Sequence, residues 1–458
     1  MNTDNQPQSG IKTGNWFKTS MTAKMLMVGF LTLVLLIPLW FVQSLIAERQ
    51  YRQQDVVEEI NKKWGQEVLV YGPILKVPYK TYKEKYVTNS DTKTRVTEIE
   101  ENLKYAYFLP ATLDIKSTVT PETKSLGIYE AAVHKSDINI TGSFEALDWS
   151  SQEIAPEDIL WEKAQLVLQT SNLKGVSDEM KLKINDGQYS FTTQFDKHHS
   201  SLSKNSLYTL ETAALKAKDT PKESLITFSM NLNFNGSQSI RFVPLGKVSD
   251  IEITSNWHTN HYNGDYLPQE IIDLENSGQK AIWKVLDINR PFPQEYFGFE
   301  PQLTEYAVGV DFLIPVDEYQ KSDRASKYGF LVIGLTFLIF FLIQTLSKIN
   351  IHLFQYLMIG LALIMFYTLL ISISEHSSFL KAYLIAGISV VLLITLYSKS
   401  ILKGWKFPLF ITTSLSALYG FIYVIIQLEN YALLVGSIGL FVILALVMFA
   451  SRKIEWHN

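Results

Sequence analysis

Apolar residues are concentrated in six stretches of this chain, and a long segment of mixed character separates the first stretch from the other five. A helix needs about 20 apolar residues to cross the hydrocarbon core of a bilayer, and each stretch is about that long. The predicted spans are Met25–Gln43, Tyr328–Leu346, Leu353–Ser372, Phe379–Tyr397, Phe407–Gln427 and Tyr431–Ala450. Lys381 lies near the start of the fourth span, where a lysine side chain can extend to the interface. The pattern predicts a membrane α-helical bundle with one span followed by five.

The first span has some features of a secretory signal. Lys12, Lys18 and Lys24 precede its apolar core. The core is longer than that of a signal peptide, and no small-x-small cleavage pattern precedes Glu48. We therefore favour an uncleaved anchor over a cleaved signal.

After the first span the pattern is helical for a further stretch. Val57, Ile60 and Trp64 fall on one helical face, and Gly65 follows as a stop signal. We predict that Glu48–Trp64 is a helical stalk that continues the first span.

Alternating segments with turn residues between them predict a β domain. Apolar and polar residues alternate in Phe228–Asn235, which indicates a half-buried strand. Leu182–Ile184 leads into Asn185-Asp186-Gly187, a sequence typical of a tight hairpin turn. Further strands are predicted at Ile138–Ile140, Leu166–Leu168 and Ile251–Ile253. Many short strands suggest a large antiparallel structure, so we predict a mainly-β, sandwich-like domain over residues 44–327, stalk included.

The short segments that flank the spans carry their Lys and Arg residues unevenly. If the N-terminus is inside, nine of these ten charges lie on inside segments and only Lys381 lies outside. Cytoplasmic loops are enriched in Lys and Arg, so we predict cytoplasmic tails at residues 1–24 and 451–458. Residues 48–327 are then exported. In a Gram-negative cell this gives a multi-pass inner-membrane protein with a periplasmic β domain.

Composition narrows the classes of function. The chain has no cysteine, which excludes disulfides, thiolate catalysis and Cys-ligated metal sites. Ten of the 41 Lys/Arg and four of the 45 Asp/Glu lie outside residues 48–327, which leaves that segment a net charge near −10. This negative charge would repel phosphates, so nucleic acid is not an expected partner. The lipid bilayer is an expected partner because of the predicted spans.

Short motifs in a fixed order resemble the CreD family of bacterial inner-membrane proteins, often called cell envelope integrity proteins. In the soluble part they are Gly72-Pro73-Ile74, Gly127-Ile128-Tyr129 with Ser136-Asp137, Ser255-Asn256-Trp257 and Gly264–Pro268. In the membrane part they are Asp323–Tyr328, Gln355–Leu357, Phe366-Tyr367, Ser374-Glu375-His376 and Leu402–Trp405. The resemblance implies a role in envelope integrity and envelope-stress responses. It implies no reaction, cofactor or catalytic residue.

Glu375 and His376 form the first candidate functional pair. They follow the third span, where a carboxylate beside an imidazole could relay protons or bind a cation. The alternative is a polar helix end next to water.

Asp323, Arg324 and Lys327 form a second candidate, a joint between the soluble domain and the second span. The alternative is a hydrated boundary anchored by Tyr328.

Trp257 and Asp265 mark a third candidate, a loop that could contact a sugar or peptide; a structural turn is the alternative we favour. His258 and His261 precede Asp265, but we favour a polar loop there over a metal site.

Two hypotheses follow. The first is a non-enzymatic envelope protein whose exported domain binds an envelope protein, lipid or glycan. The second is an enzyme or carrier for an envelope lipid or sugar, with Glu375 and His376 at the membrane face. Because no nucleophile elbow, zinc-protease, phosphate-loop or dinucleotide motif is present, we favour the first.

Overall fold

The structure, a computed structural model, falls into two compact units. It describes residues 21–88, 95–149, 152, 154–194, 207–222, 224–257, 259–275, 278–312, 314, 318–347, 349–402, 404–428 and 431–452. One unit is Met1–Gln54 with Val316–Asn458, and the other is Asp55–Pro315.

The first unit is helical. Its helices among the described residues are α1 (Met21–Trp64, which continues into the second unit), α2 (Glu318–Lys327), α3 (Gly329–Ser347), α4 (Leu353–Ser374), α5 (Phe379–Ile401), α6 (Lys406–Gln427) and α7 (Ala432–Ser451). Five of these helices are long and apolar enough to cross a membrane, and α2 with α3 forms a sixth candidate that is bent by 42°. The prediction of a multi-span helical membrane protein is confirmed. The predicted helix at Glu48–Trp64 is the last part of α1.

Close packing at glycines joins α1 to the rest of this unit. A Cβ on Gly360 of α4 would lie 2.2 Å from Leu35 of α1, and one on Gly329 of α3 would lie 2.7 Å from Leu39. Lipid tails are as apolar as leucine, so helices in a bilayer associate through such close approaches and through polar contacts. Lys24 also donates a hydrogen bond to Asn350, which brings the start of α1 to the loop between α3 and α4.

Residues at the start of α4 cap the N-terminus of this helix. The His352 ring accepts a hydrogen bond from the Phe354 N–H, and the Gln355 side chain accepts one from the His352 N–H at 2.8 Å. This reciprocal capping satisfies backbone donors that the first turn of a helix leaves unpaired.

The second unit is built on a large sheet. Its sixteen strands among the described residues are β1 (Val68–Thr88), β2 (Arg95–Phe108), β3 (Thr112–Leu126), β4 (Tyr129–Phe144), β5 (Gln165–Thr170), β6 (Lys181–Ile184), β7 (Gly187–Thr193), β8 (Tyr208–Thr212), β9 (Ile226–Ser237), β10 (Ser239–Phe242), β11 (Val248–Ser255), β12 (Asn260–Gly264), β13 (Glu270–Asp273), β14 (Gln279–Leu286), β15 (Glu295–Phe297) and β16 (Val308–Phe312). The main order is β12-β16-β10-β1-β5-β8-β7-β6-β9-β4-β3-β11-β14-β13, with β2 paired to β1 and β15 to β2.

The predicted strands are confirmed, and most of their pairings are antiparallel, as the sequence predicts, with parallel exceptions. β1 pairs with β10 in parallel, and β11 pairs with β3 in parallel. The predicted hairpin is present as β6 and β7, and its turn residue Asn185 has a φ of 48°. Asparagine tolerates that left-handed conformation better than most residues do.

Alternation buries one side of several strands in a large core. In β9, Phe228, Met230, Leu232 and Phe234 are all buried, as the sequence pattern predicts. Trp283 of β14 and Tyr71 of β1 are among the largest fully buried side chains. Each large apolar side chain that is removed from water contributes about 1.5–3 kcal/mol to folding.

One histidine is enclosed in this core. His134 of β4 is 0% exposed, and its Nδ1 lies 2.8 Å from the Ser136 hydroxyl. Its Nε2 lies 3.3 Å from the Ser239 carbonyl oxygen, so Nε2 carries the proton in the neutral ring. Burial lowers the pKa of His134 from 6.5 to about 4, although the hydrogen bond to Ser239 acts in the opposite direction.

Candidate functional site

A carboxylate at the end of α4 joins three helices of the membrane unit. Glu375 Oε1 lies 3.6 Å from Arg49 Nε, which belongs to α1. The Tyr319 hydroxyl, from α2, lies 3.5 Å from the same oxygen and makes a long hydrogen bond to it. Arg49, Tyr319 and Glu375 are the Glu375 cluster.

The Glu375 cluster is partly shielded from solvent. The exposed fraction of the side chain is 16% for Glu375 and 39% for Arg49, while Tyr319 is 6% exposed. A fully exposed ion pair contributes about 0–1 kcal/mol, whereas a buried charge that loses its partner costs several times more. The loss of Arg49 would therefore leave a half-shielded carboxylate with a weak hydroxyl contact.

A second contact fastens α2 to α1. The side-chain amide of Gln43 donates a hydrogen bond to the Ser326 carbonyl oxygen at 3.1 Å. The buried residues of α2 recur every three or four positions, as on one helical face: Tyr319, Ser322, Ala325 and Ser326. On α5, the Phe379 ring lies 5.9 Å from the Lys321 ammonium group. The short helix α2 is thus held by α1, α4 and α5.

Two polar atoms of α2 are buried without a hydrogen-bond partner among the described residues. They are the Ser322 hydroxyl and Glu318 Oε2. Unpaired buried polar groups destabilise a fold and commonly mark sites with another role. Here they lie on the helix that re-enters the membrane unit.

The predicted joint residues lie on α2, and their role as a joint stays a prediction. Lys327 pairs with Asp323 one turn away, at 2.7 Å, and Arg324 is half-buried. The hydrogen bonds described above, from Gln43 of α1 to Ser326 and from Tyr319 to Glu375, involve other residues of α2.

Glu375 and His376 have different surroundings. The structure pairs Glu375 with Arg49 and Tyr319. The His376 side chain is exposed and makes no hydrogen bond or ion pair with any residue that the structure describes. Its role stays a prediction.

The predicted loop at Trp257 and Asp265 belongs to the β unit. Trp257 is half-buried against the core, and its carbonyl oxygen accepts a hydrogen bond from Asn260. Asp265 is exposed and directly follows β12. His258 lies outside the described residues, and no set of three metal-ligating side chains is found within them.

Sequence reasoning missed Arg49, Tyr319 and Gln43. Arg49 follows closely on the apolar run of the first span, and opposite charges at one end of a bundle can be matched. That signal could have paired Arg49 with Glu375. Tyr319 and Gln43 carry no comparable signal, because their contacts depend on the packing of α2.

The arrangement defines a class, a multi-span α-helical membrane protein with one large β domain between its first and second spans. The family described as "Inner membrane protein CreD" matches residues 20–457, so the chain belongs to that family. It is also 29% identical over 428 residues to Inner membrane protein CreD of Escherichia coli (strain K12), which covers 93% of this chain and 91% of that protein. The resemblance seen in the motifs is confirmed, and so is a multi-pass inner-membrane protein.

Proposed function

We propose that this protein supports the integrity of the cell envelope under stress as a non-enzymatic binding protein. Its β domain binds an envelope partner, and its helical bundle anchors that domain and responds to it. The observation that carries the proposal is the Glu375 cluster, in which one carboxylate ties α1, α2 and α4 together. These ties lie on the two segments, α1 and α2, through which the chain leaves and re-enters the bundle.

The proposal includes an orientation, with both termini in the cytoplasm and residues 48–327 in the periplasm. The distribution of Lys and Arg in the short segments supports it. The hydrogen bond from Lys24 to Asn350 supports it further, because it joins two segments that the prediction assigns to the same side. A C-terminal fluorescent protein that folds only in the cytoplasm should be bright, and a dark fusion would reverse the orientation.

The proposal also includes a sandwich-like arrangement of the β domain. Strands β1 and β9 are far apart in the strand order. One hydrophobic core nevertheless contains buried side chains of both strands, such as Leu75 of β1 and Phe228 of β9. A core shared by distant parts of one sheet supports face-to-face packing.

The function is tested by deletion of the gene under envelope stress. We expect the deletion strain to lose resistance to detergent or to cell-wall antibiotics, and a plasmid copy to restore it. An unchanged response to both agents would contradict the proposal.

Variants at the membrane face separate this function from the enzyme or carrier hypothesis. His376→Ala should complement as well as the wild type if Glu375 acts through Arg49 and Tyr319. An enzyme or carrier that used the Glu375 and His376 pair would lose activity in both Glu375→Ala and His376→Ala. Equal loss in the two variants would therefore favour the second hypothesis.

A further inference from the structure

A cluster of hydrogen-bonding side chains lies on one face of the β unit. Lys76 Nζ of β1 lies 2.7 Å from Glu211 Oε1 of β8, and the Gln169 amide of β5 donates to Glu300 Oε1 at 2.7 Å. The strand registers place Lys76 beside Tyr107 of β2. The polar patch consists of Lys76, Tyr105, Tyr107, Gln169, Glu211 and Glu300.

The charged side chains of the polar patch are largely shielded from solvent, and exposed aromatic rings lie at its edge. The exposed fraction of the side chain is 17% for Lys76 and 11% for Glu211. Beside them, the Tyr105 ring lies 4.5 Å from the Lys76 ammonium group and is 36% exposed. Phe299, next to Glu300 in the chain, is 62% exposed. A ligand can therefore reach the patch from its edges, although the charged groups there contact less water than they would on an open surface.

Tyr107 provides an unused donor in the patch. Its hydroxyl makes no hydrogen bond with any of the residues that the structure describes. Burial, with the charges of Glu300 and Glu211, raises the pKa of Tyr107 above its ordinary value. The hydroxyl therefore keeps its proton and can donate a hydrogen bond to a ligand atom.

The ion pair between Lys76 and Glu211 adds little to the stability of the fold. A partly buried ion pair contributes little to stability, because removing both charges from water offsets most of their attraction. A sheet face of this size is stabilised by apolar side chains such as Ile74 and Val167, which are buried beside the patch. Polar side chains that converge beside exposed aromatic rings can instead fix the orientation of a bound ligand.

The charges in the patch select the class of ligand. Two carboxylates and one ammonium group leave a net negative charge, which opposes anionic headgroups and phosphates. The polar lining does not suit an alkyl chain. Sugar hydroxyls can donate to Glu211 and Glu300 and accept from Lys76 and Tyr107. The apolar face of a sugar ring can pack on an exposed aromatic ring such as Tyr105.

We propose that the polar patch binds a neutral oligosaccharide. This inference rests on the proposed function, since it names the class of envelope partner that the β domain takes. The ring packs against Tyr105, and its hydroxyls bond to the Lys76, Glu211 and Glu300 side chains.

The test is a direct binding measurement on the full-length protein. The protein is purified in a detergent without a sugar headgroup and titrated by calorimetry with chitohexaose, cellohexaose and maltohexaose. At least one hexasaccharide should bind with a Kd of about 1 mM or tighter. Tyr105→Ala and Glu300→Gln should each weaken that binding by about tenfold, because each removes one contact of the ligand. No binding of any hexasaccharide up to about 10 mM would overturn the proposal.

A matched control lies on β1 and β2, which also carry residues of the patch. Glu101 pairs with Lys80 at 3.0 Å outside the patch, and its side chain is 54% exposed. Glu101→Gln should bind the hexasaccharide as well as the wild type. Equal binding by Glu101→Gln, Tyr105→Ala and Glu300→Gln would overturn the site, as would equal affinity for hexagalacturonate, an anionic chain.

Both patch variants alter side chains with solvent access, and their unfolding midpoints should match that of the wild type. Binding without a deletion phenotype would support the site and contradict the proposed function. A deletion phenotype without binding would support the proposed function and contradict the oligosaccharide site.

Discussion

The buried His134 should make the β unit unstable in mild acid. The folded unit holds this imidazole neutral, with a pKa of about 4, whereas the unfolded chain protonates it near 6.5. Between these values the unfolded state binds more protons, so the free energy of unfolding falls as the pH falls, and the loss levels off below about 4. One pH unit corresponds to about 1.4 kcal/mol, so the largest loss from His134 is about 3 kcal/mol.

The assay is urea unfolding of the purified protein between about pH 7 and pH 5, followed by the fluorescence of buried tryptophan such as Trp283. Other groups titrate in this range, so the comparison is with His134→Gln, which cannot take up the proton. The wild type should lose about 2 kcal/mol more than the variant over this interval. Parallel losses in the two proteins would refute the explanation. A variant too unstable for the titration would be replaced by the NMR titration of the His134 ring, which should show a pKa well below 6.5.

Two further predictions concern packing in the membrane unit. Gly360→Ile should lower the stability of the purified protein by about 1–3 kcal/mol, because the new side chain overlaps Leu35, whereas Gly29→Ile should be neutral in thermal unfolding, since no atom lies within 4 Å of its Cβ position. Tyr383→Phe should cost about 1 kcal/mol, since its hydroxyl donates to the Tyr419 carbonyl oxygen at 2.7 Å. Tyr367→Phe should be neutral or stabilising, because that buried hydroxyl has no partner among the described residues. Equal unfolding midpoints for the two tyrosine variants would contradict this assignment.

The membrane spans were the most predictable part of the chain. A long apolar run has few alternatives in a polar solvent, so the runs after Tyr328 were recognised from the sequence alone. The helix α2 was not recognised. Its buried face consists of Tyr319, Ser322, Ala325 and Ser326, which are mostly small or polar, so no hydrophobic stripe marks it.

The strands of the β unit were predictable, but their partners were not. Alternation marks Phe228–Phe234 as half-buried whatever strand lies beside it. The parallel pairing of β11 with β3 depends on which distant strand has a matching edge, and local periodicity contains no such information. The same limit applies to the polar patch, whose residues come from four strands and a loop.

The sequence pointed to Glu375 but not to the residues that contact it. Glu375 was selected because an ionisable group beside an apolar span is unusual. Its partners could not be chosen from the sequence, because Arg49 and Tyr319 reach it only when α1, α2 and α4 pack together. The role of the adjacent His376 stays a prediction, because its exposed side chain has no hydrogen bond or ion pair with the residues that the structure describes.

The central claim is that the ion pair between Arg49 and Glu375 ties the helices that carry the β domain. A charge exchange tests it in cells that lack the chromosomal gene and are challenged with detergent or a cell-wall antibiotic. Arg49→Glu and Glu375→Arg should each fail to restore resistance, because each places two like charges about 3.6 Å apart. The double variant should recover much of the resistance, since the attraction is restored with its direction reversed. Full resistance in both single variants, or a double variant no better than the weaker single one at equal protein levels, would contradict the account.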